Sequence, residues 1–231
     1  MSDIDRDIIV MGDTHGFWYC VNPFINTKRS KIFLQCGDFG YWPRWKDEVK
    51  NPNYPQKKKV PKVPKGSKLY FCDGNHEDHE MLREAEDNEL YPNVFYMSRG
   101  STLTLPDGRV VLFMGGALSI DKEGRNWGID WFPQEQISYS DIHDLDRDMR
   151  IDIVISHTCP REFEMIGNDT KMSDCNRMAL SYILHHYRPT LWYFGHWHRY
   201  TTGFYKYCRW TALDMFHNPG YQSRNWEYLR K

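Results

Sequence analysis

The sequence predicts a layered α/β architecture. Three features carry that expectation: short apolar runs recur along the chain, helix-compatible stretches lie between several of them, and a glycine or a polar residue closes most runs. The runs occupy residues 8–11, 32–36, 69–72, 110–114, 153–155 and 191–194. Each is roughly four to six residues long and rich in branched or aromatic types, as strands covered on both faces are. Residues 81–88 hold helix formers and neither Gly nor Pro. Residues 133–145 open with Pro-Gln-Glu, which suits a first helical turn. Residues 176–187 set Met178, Tyr182 and His185 on one helical stripe, with Ala179, Ile183 and His186 beside it. Residues 200–215 read as hairpins. Neither an internal repeat nor a domain boundary is visible, so all 231 residues read as one domain.

Composition narrows the function classes. Lys and Arg number 30 against 31 Asp and Glu, a net charge of −1, so whole-chain electrostatics give no reason to expect a nucleic-acid or membrane coat. No apolar run approaches the roughly 18 residues of a membrane span. The first seven residues are acidic and lack the apolar stretch of a secretion signal, so a cytoplasmic location is expected. With 9 Trp, 15 Tyr and 12 Phe the chain is not a disordered one. None of Cys20, Cys36, Cys72, Cys159, Cys175 and Cys208 pairs at C-x-x-C spacing, and reduced thiols are expected. Cys36 and Cys72 end apolar runs, where a buried small hydrophobe is the simplest reading.

One segment departs from this balance. Residues 51–68 hold six lysines and no acid, so the remainder carries −7 against −1 for the whole chain. Its prolines forbid a regular helix, and it reads as an exposed, polyproline-like inserted loop. It is either a solvated insert or an arm that attracts a polyanionic or phosphorylated substrate.

The chemistry lies just past the runs. There the chain reads Gly12-Asp13-Thr14-His15-Gly16, Gly37-Asp38, Gly74-Asn75-His76-Glu77, Ser156-His157 and Gly195-His196-Trp197-His198. In open α/β sheets, ligands bind beyond the carboxyl ends of strands. Carboxylate, amide oxygen and imidazole together suit divalent manganese, iron, zinc or nickel. Two carboxylates, one amide and four imidazoles exceed one ion's needs, and sharing Asp38 resolves the count. Asp13, His15, Asp38 and His198 would hold one ion, and Asp38, Asn75, His157 and His196 the other. Two metals about 3.5–4 Å apart can clamp an in-line displacement at phosphorus. Taken singly, each motif has a plainer reading. An Asp-x-His is usually a turn, a lone His after a strand is usually a core residue, and Gly-Asp is often a left-handed turn. Five of them in order, each at a strand exit, are the informative feature.

That ordered series resembles the calcineurin-like metallophosphoesterases from residue 8 to about residue 200. The resemblance implies a βα sandwich of two central sheets flanked by helices, with a dinuclear centre whose bridging hydroxide attacks phosphate esters. It implies the same ligand assignment, and a general-acid or phosphate-contact role for His76. A carboxylate normally orients such a histidine, and Asp73 lies nearby in sequence. Gly74-Asn75-His76-Glu77 matches the protein-phosphatase branch, whose members also carry an Asp-Arg pair shortly after the second Gly-Asp. Here that stretch is Phe39-Gly40-Tyr41-Trp42-Pro43-Arg44, with the Asp absent and the Arg displaced. Residues 115–131, with Asp121, Lys122 and Arg125, resemble the equivalent segment of small bacterial and phage phosphoesterases. Arg44 or Arg125 would bind phosphate; a surface salt bridge is the plainer reading of each.

The expected activity is therefore that of a phosphomonoesterase with two divalent ions, manganese first, acting on a phosphorylated small molecule, nucleotide or phosphoprotein. The alternative is a phosphodiesterase or nuclease on the same centre, with the lysine segment, Trp42 and Trp45 tracking a single strand of nucleic acid. A non-catalytic scaffold ranks third, because every ligand and His76 are in place. Other motifs fail: residues 76–79 are not His-Glu-x-x-His, and neither a nucleophile elbow nor a nucleotide P-loop occurs. His143, His185, His186 and His217 read as structural or surface residues.

Overall fold

In the computed structural model, residues 4–44, 60–165, 174–216 and 224–231 are described. Twelve strands form two six-stranded sheets among these residues. The first contains β1 (Ile4–Met11), β2 (Ile32–Gln35), β3 (Lys68–Phe71), β4 (Glu89–Tyr91), β5 (Val94–Tyr96) and, from the far end of the chain, β12 (Trp226–Arg230). Its order is β12-β1-β2-β3-β5-β4. The second contains β6 (Thr102–Thr104), β7 (Val110–Met114), β8 (Ile153–Ser156), β9 (Leu191–Phe194), β10 (Thr201–Tyr205) and β11 (Cys208–Ala212), in the order β10-β11-β9-β8-β7-β6. The inner strands β1, β2, β3 and β5 run parallel, as do β7, β8, β9 and β11, and antiparallel strands close every edge. Parallel strands are covered on both faces, which accounts for continuous rather than alternating apolar runs.

Side-chain alternation divides each strand between two cores. Ile8, Val10 and Leu34 meet Val111, Phe113, Ile153 and Ile155 between the sheets. Ile9, Met11 and Phe33 face outward onto helix α1 (Trp18–Lys28), through Val21 and Ile25. Leu112, Val154 and Trp192 face outward onto the 13-residue helix α4 (Cys175–Tyr187), through Leu180, Ile183 and Leu184. The result is the expected α/β/β/α sandwich.

Several local expectations need correction. The helix expected at 81–88 is α2, His79–Glu84. Asp78 caps it by accepting from Met81 N, and Ala85 turns extended toward β4. The helix expected at 133–145 is a 3-10 turn, Pro133–Glu135, then a break, then the short α3, Tyr139–His143. Ser138 and Asp141 form a capping box that starts a helix there afresh. Helix α4 lies where expected but presents another face: Met178 and Tyr182 are exposed, and Arg177, Leu180, Ile183 and Leu184 are buried. Helix α1, which encloses Pro23, has no counterpart in the sequence-based expectation.

The hairpin of β10 and β11 agrees with expectation. Of the lysine-rich segment, residues 51–59 lie outside the described residues. The rest is not a free loop. Val63 is buried beside α1, and Asn22 binds both Val60 O and Lys62 N, while Lys62, Lys65 and Lys68 stay exposed. All six cysteines are free thiols, with Cys36 and Cys72 fully buried. Among the described residues no helix is long and apolar enough to cross a membrane.

Candidate metal centre

The strands end level. Met11, Gln35 and Phe71 stand in one row of the first sheet, and Met114 and Ser156 pair in the second. The residues that follow therefore emerge along one edge. Their backbones are bent hard: φ is 44° at His15, 49° at Asp38, 65° at His196 and 44° at His198. Such conformations cost non-glycine residues roughly 1–3 kcal/mol each and persist where a site demands them. Cross-loop hydrogen bonds hold the bends. Thr14 N and His15 N donate to Asp38 O at 3.0 and 2.7 Å, and His196 N donates to Asp13 Oδ2 at 2.9 Å. Glu77, fully buried, accepts from the backbone N–H of Phe39, Gly40 and Tyr41, tying the loop after β2 to the loop after β3.

Two donor sets result. Ligand atoms of Asp13, His15, Asp38 and His198 all lie within 4.8 Å of one another. His198 Nε2 is 3.2 Å from Asp13 Oδ2, and His15 Nε2 is 3.1 Å from His198 Nε2 and 3.5 Å from Asp38 Oδ2. Beside them, His157 Nε2 and His196 Nδ1 each lie 3.0 Å from Asn75 Oδ1. His157 Nε2 is also 3.2 Å from Asp38 Oδ1. Asp38 thus offers one oxygen to each set. The donors fit divalent cations: imidazole nitrogens converge on each other and on oxygens that have no proton to give. His157 Nδ1 lies 2.9 Å from Cys36 O, the backbone contact that orients a metal-binding imidazole and leaves Nε2 for the ion.

Electrostatics follow the burial. Burial lowers His196 to about 3, with His157 adding to the effect. Burial also lowers His157, but Asp38 outweighs it and draws that ring up to about 9. Burial raises Asp38, and His157, His76 and His15 together hold it well below the usual carboxylate range.

A cavity of about 400 Å³ opens onto both sets, lined by Asp38, His76, Arg125, Arg177, Trp197 and His198 among others. Arg125 Nη2 lies 2.7 Å from His76 Nε2, and Nη1 donates to Asn75 O at 3.1 Å. Asp121 pairs with this guanidinium at 2.7 Å. Because a guanidinium only donates, His76 Nε2 accepts and its proton sits on Nδ1. Burial, with His15 and Arg125 adding to it, keeps His76 well below the ordinary histidine value, hence neutral.

The other expected residues lie elsewhere. Arg44 donates to both oxygens of Asp78 and to Glu80, and it does not line the cavity. Asp73 does not orient His76: it holds Arg99 by two hydrogen bonds, at 3.1 and 2.6 Å, and accepts from Tyr96 Oη. Trp42 is half-buried 6.4 Å from the Phe132 ring, and Trp45 lies outside the described residues.

Sequence reasoning missed Arg177. It is 2% exposed, lines the cavity, and donates to the backbone carbonyls of Cys159, Pro160 and Phe163. Its three partners are backbone atoms 14 to 18 residues upstream, so no short motif announces it.

Comparison with known proteins yields one family match and several structural neighbours. A family model for calcineurin-like phosphoesterases matches residues 6–200. The protein TT1561 of Thermus thermophilus is similar at 13% identity and a TM-score of 0.51, over 90% of this chain and 88% of that one. A further solved structure is similar at 15% identity and a TM-score of 0.53, over 90% of each chain. A phosphopantetheinyl hydrolase from Mycobacterium tuberculosis aligns over 90% of this chain and 89% of that one at 11% identity, with a TM-score of 0.44. No curated protein matches the chain.

Proposed function

This chain belongs to the calcineurin-like phosphoesterase family of metal-dependent phosphoric ester hydrolases, and on that basis we propose that it is a phosphomonoesterase built around two divalent cations, manganese first. The observation that carries the reading is Asp38, whose Oδ2 faces His15 while its Oδ1 faces His157. Asp13, His15, Asp38 and His198 would hold one cation; Asp38, Asn75, His157 and His196 would hold the other. Bound there, the pair supplies an activated water and neutralises phosphoryl oxygens.

The chain's own residues do the rest. Arg125 and Arg177 bring two guanidiniums to the cavity, matched to the dianionic end of a phosphate monoester. Arg125 also fixes the His76 ring and places its proton on Nδ1, from which the neutral imidazole would donate a hydrogen bond to the departing oxygen. Trp197, Leu118 and Ile120 add apolar wall, and a cavity of about 400 Å³ suits a phosphorylated small molecule.

The test is turnover of p-nitrophenyl phosphate and bis-p-nitrophenyl phosphate by metal-stripped protein refilled with manganese. We expect preference for the monoester. Preference for the diester would reject the reading in favour of a phosphodiesterase or nuclease. Inactivity on both, in protein shown to hold no metal, would reject an enzyme of this kind.

A further inference from the structure

Asn75 can serve a cation only through Oδ1, so its amide must be held one way round. The Ser119 hydroxyl decides which way. Ser119 Oγ donates to Glu135 Oε2 at 2.6 Å, and Ser119 N donates to Glu135 Oε1 at 2.8 Å. A hydroxyl has one proton. With that proton on Glu135, only lone pairs remain to face Asn75, and they accept from Asn75 Nδ2 at 3.1 Å. Oδ1 is thereby turned toward His157 Nε2 and His196 Nδ1. The chain of contacts is dry: Glu135 is 0%, Ser119 2% and Asn75 5% exposed. Glu135 is itself fixed, because Arg99 donates to the backbone carbonyls of Gln134, Glu135 and Gln136 while pairing with Asp73.

We propose that Glu135 is a positioning residue that, through the Ser119 hydroxyl, sets the polarity of the Asn75 amide and so the affinity of the second cation position. This rests on the two-cation reading above. Replacing Glu135 by Gln changes one atom and reverses the relay. The Ser119 backbone N–H keeps the single remaining oxygen, so the new amide N–H₂ faces Ser119 Oγ and donates to it. The hydroxyl proton then turns to Asn75 and favours Oδ1 pointing away from the cation. An aspartate at position 75 would be indifferent to this reversal, because both of its oxygens accept.

The experiment is calorimetric titration of the full, metal-stripped chain with Mn²⁺. Two sites are expected in the natural chain. In Glu135→Gln, one site should be unchanged and the other weakened by about 10- to 100-fold, the usual cost of an outer-shell change. Adding Asn75→Asp should restore that site to within about threefold in the Glu135→Gln background, a non-additivity that simple misfolding would not produce. Unchanged binding by Glu135→Gln, or no recovery in the double variant, overturns the relay and leaves the two-cation reading standing. Fewer than two sites in the natural chain overturns that reading and the relay together. Should Glu135→Gln not fold, Ser119→Ala must weaken the second site alone, and unchanged binding overturns the proposal.

Discussion

Asp38 Oδ1 accepts the backbone N–H of Asn75 at 2.8 Å, across 37 positions of chain. The same oxygen accepts from His76 N at 2.8 Å and faces His157 Nε2 at 3.2 Å. One buried carboxylate therefore shapes the loop after β3 and offers itself to both donor sets. Asp38→Asn should weaken Mn²⁺ binding by on the order of 100-fold or more, at least what outer-shell changes cost. Phosphoester turnover should fall with it. Calorimetry and a p-nitrophenyl phosphate assay check this, and full activity would exclude Asp38 as a shared ligand.

His76 is held by Arg125 and stands outside both donor sets. His76→Ala should lower kcat by roughly 10²–10³-fold while leaving Mn²⁺ binding intact. The loss should be larger for an alkyl phosphate than for p-nitrophenyl phosphate, whose leaving group needs little stabilisation. An equal loss on both would remove the leaving-group role.

Gly195 precedes His196 and belongs to neither donor set. A Cβ at this position would strike Asp13 Oδ1. Gly195→Ala should therefore reduce affinity at the Asp13, His15, Asp38 and His198 position by about 10-fold or more, as misplaced ligands do. Titration of the variant checks this, and wild-type affinity would show that Asp13 can move without cost.

The Asp73–Arg99 pair ties the acid dependence of stability to the fold. Burial raises the Asp73 carboxyl, but Arg99, joined by His79, outweighs it and holds the group below its ordinary value. A depressed carboxyl stabilises the folded chain above its unfolded value, near about 3.9, and that contribution is lost as pH falls through the depressed value. Asp73→Asn should cost about 1.5–3 kcal/mol at pH 7, because Arg99 loses its closest carboxylate and keeps only Asp141, at 3.2 Å. The gap to wild type should narrow at pH 3. Urea unfolding at the two pH values measures it, and equal gaps would contradict the assignment.

Chelation should destabilise the chain as well as silence it. A cation present at 100 times its Kd adds about 2.7 kcal/mol, which for a chain of this size is roughly 5–10 °C in Tm per site. Thermal scans with excess Mn²⁺ and with EDTA should differ by at least that much. Identical scans would mean that the donor sets bind no cation in the folded state.

The donor residues and six of the eight parallel inner strands, all but β5 and β11, are legible in the sequence for one reason. Both are local: an apolar run followed at once by Asp, Asn or His is a pattern within ten residues. The helices expected at 81–88 and 133–145 differ from the structure because propensity loses to capping, by Asp78 in one case and by Ser138 with Asp141 in the other. The buried face of α4 differs because a stripe of Met, Tyr and His looks apolar, whereas Leu180 and Leu184 are what meet the second sheet. Strand β12 is hidden from local pattern because its pairing with β1 spans nearly the whole chain.

By itself, then, the sequence determined which side chains stand at the strand exits, the layered class of fold, and the family to which the ordered motifs point. Only the tertiary structure decided how they are held. It turned Arg125 onto His76, drew Arg44 away to Asp78, brought Arg177 to the cavity, and joined Glu135 to Asn75 through Ser119. Those relations depend on the direction of single protons and guanidinium edges between segments 14 to 50 residues apart, a geometry set by packing and not by local pattern.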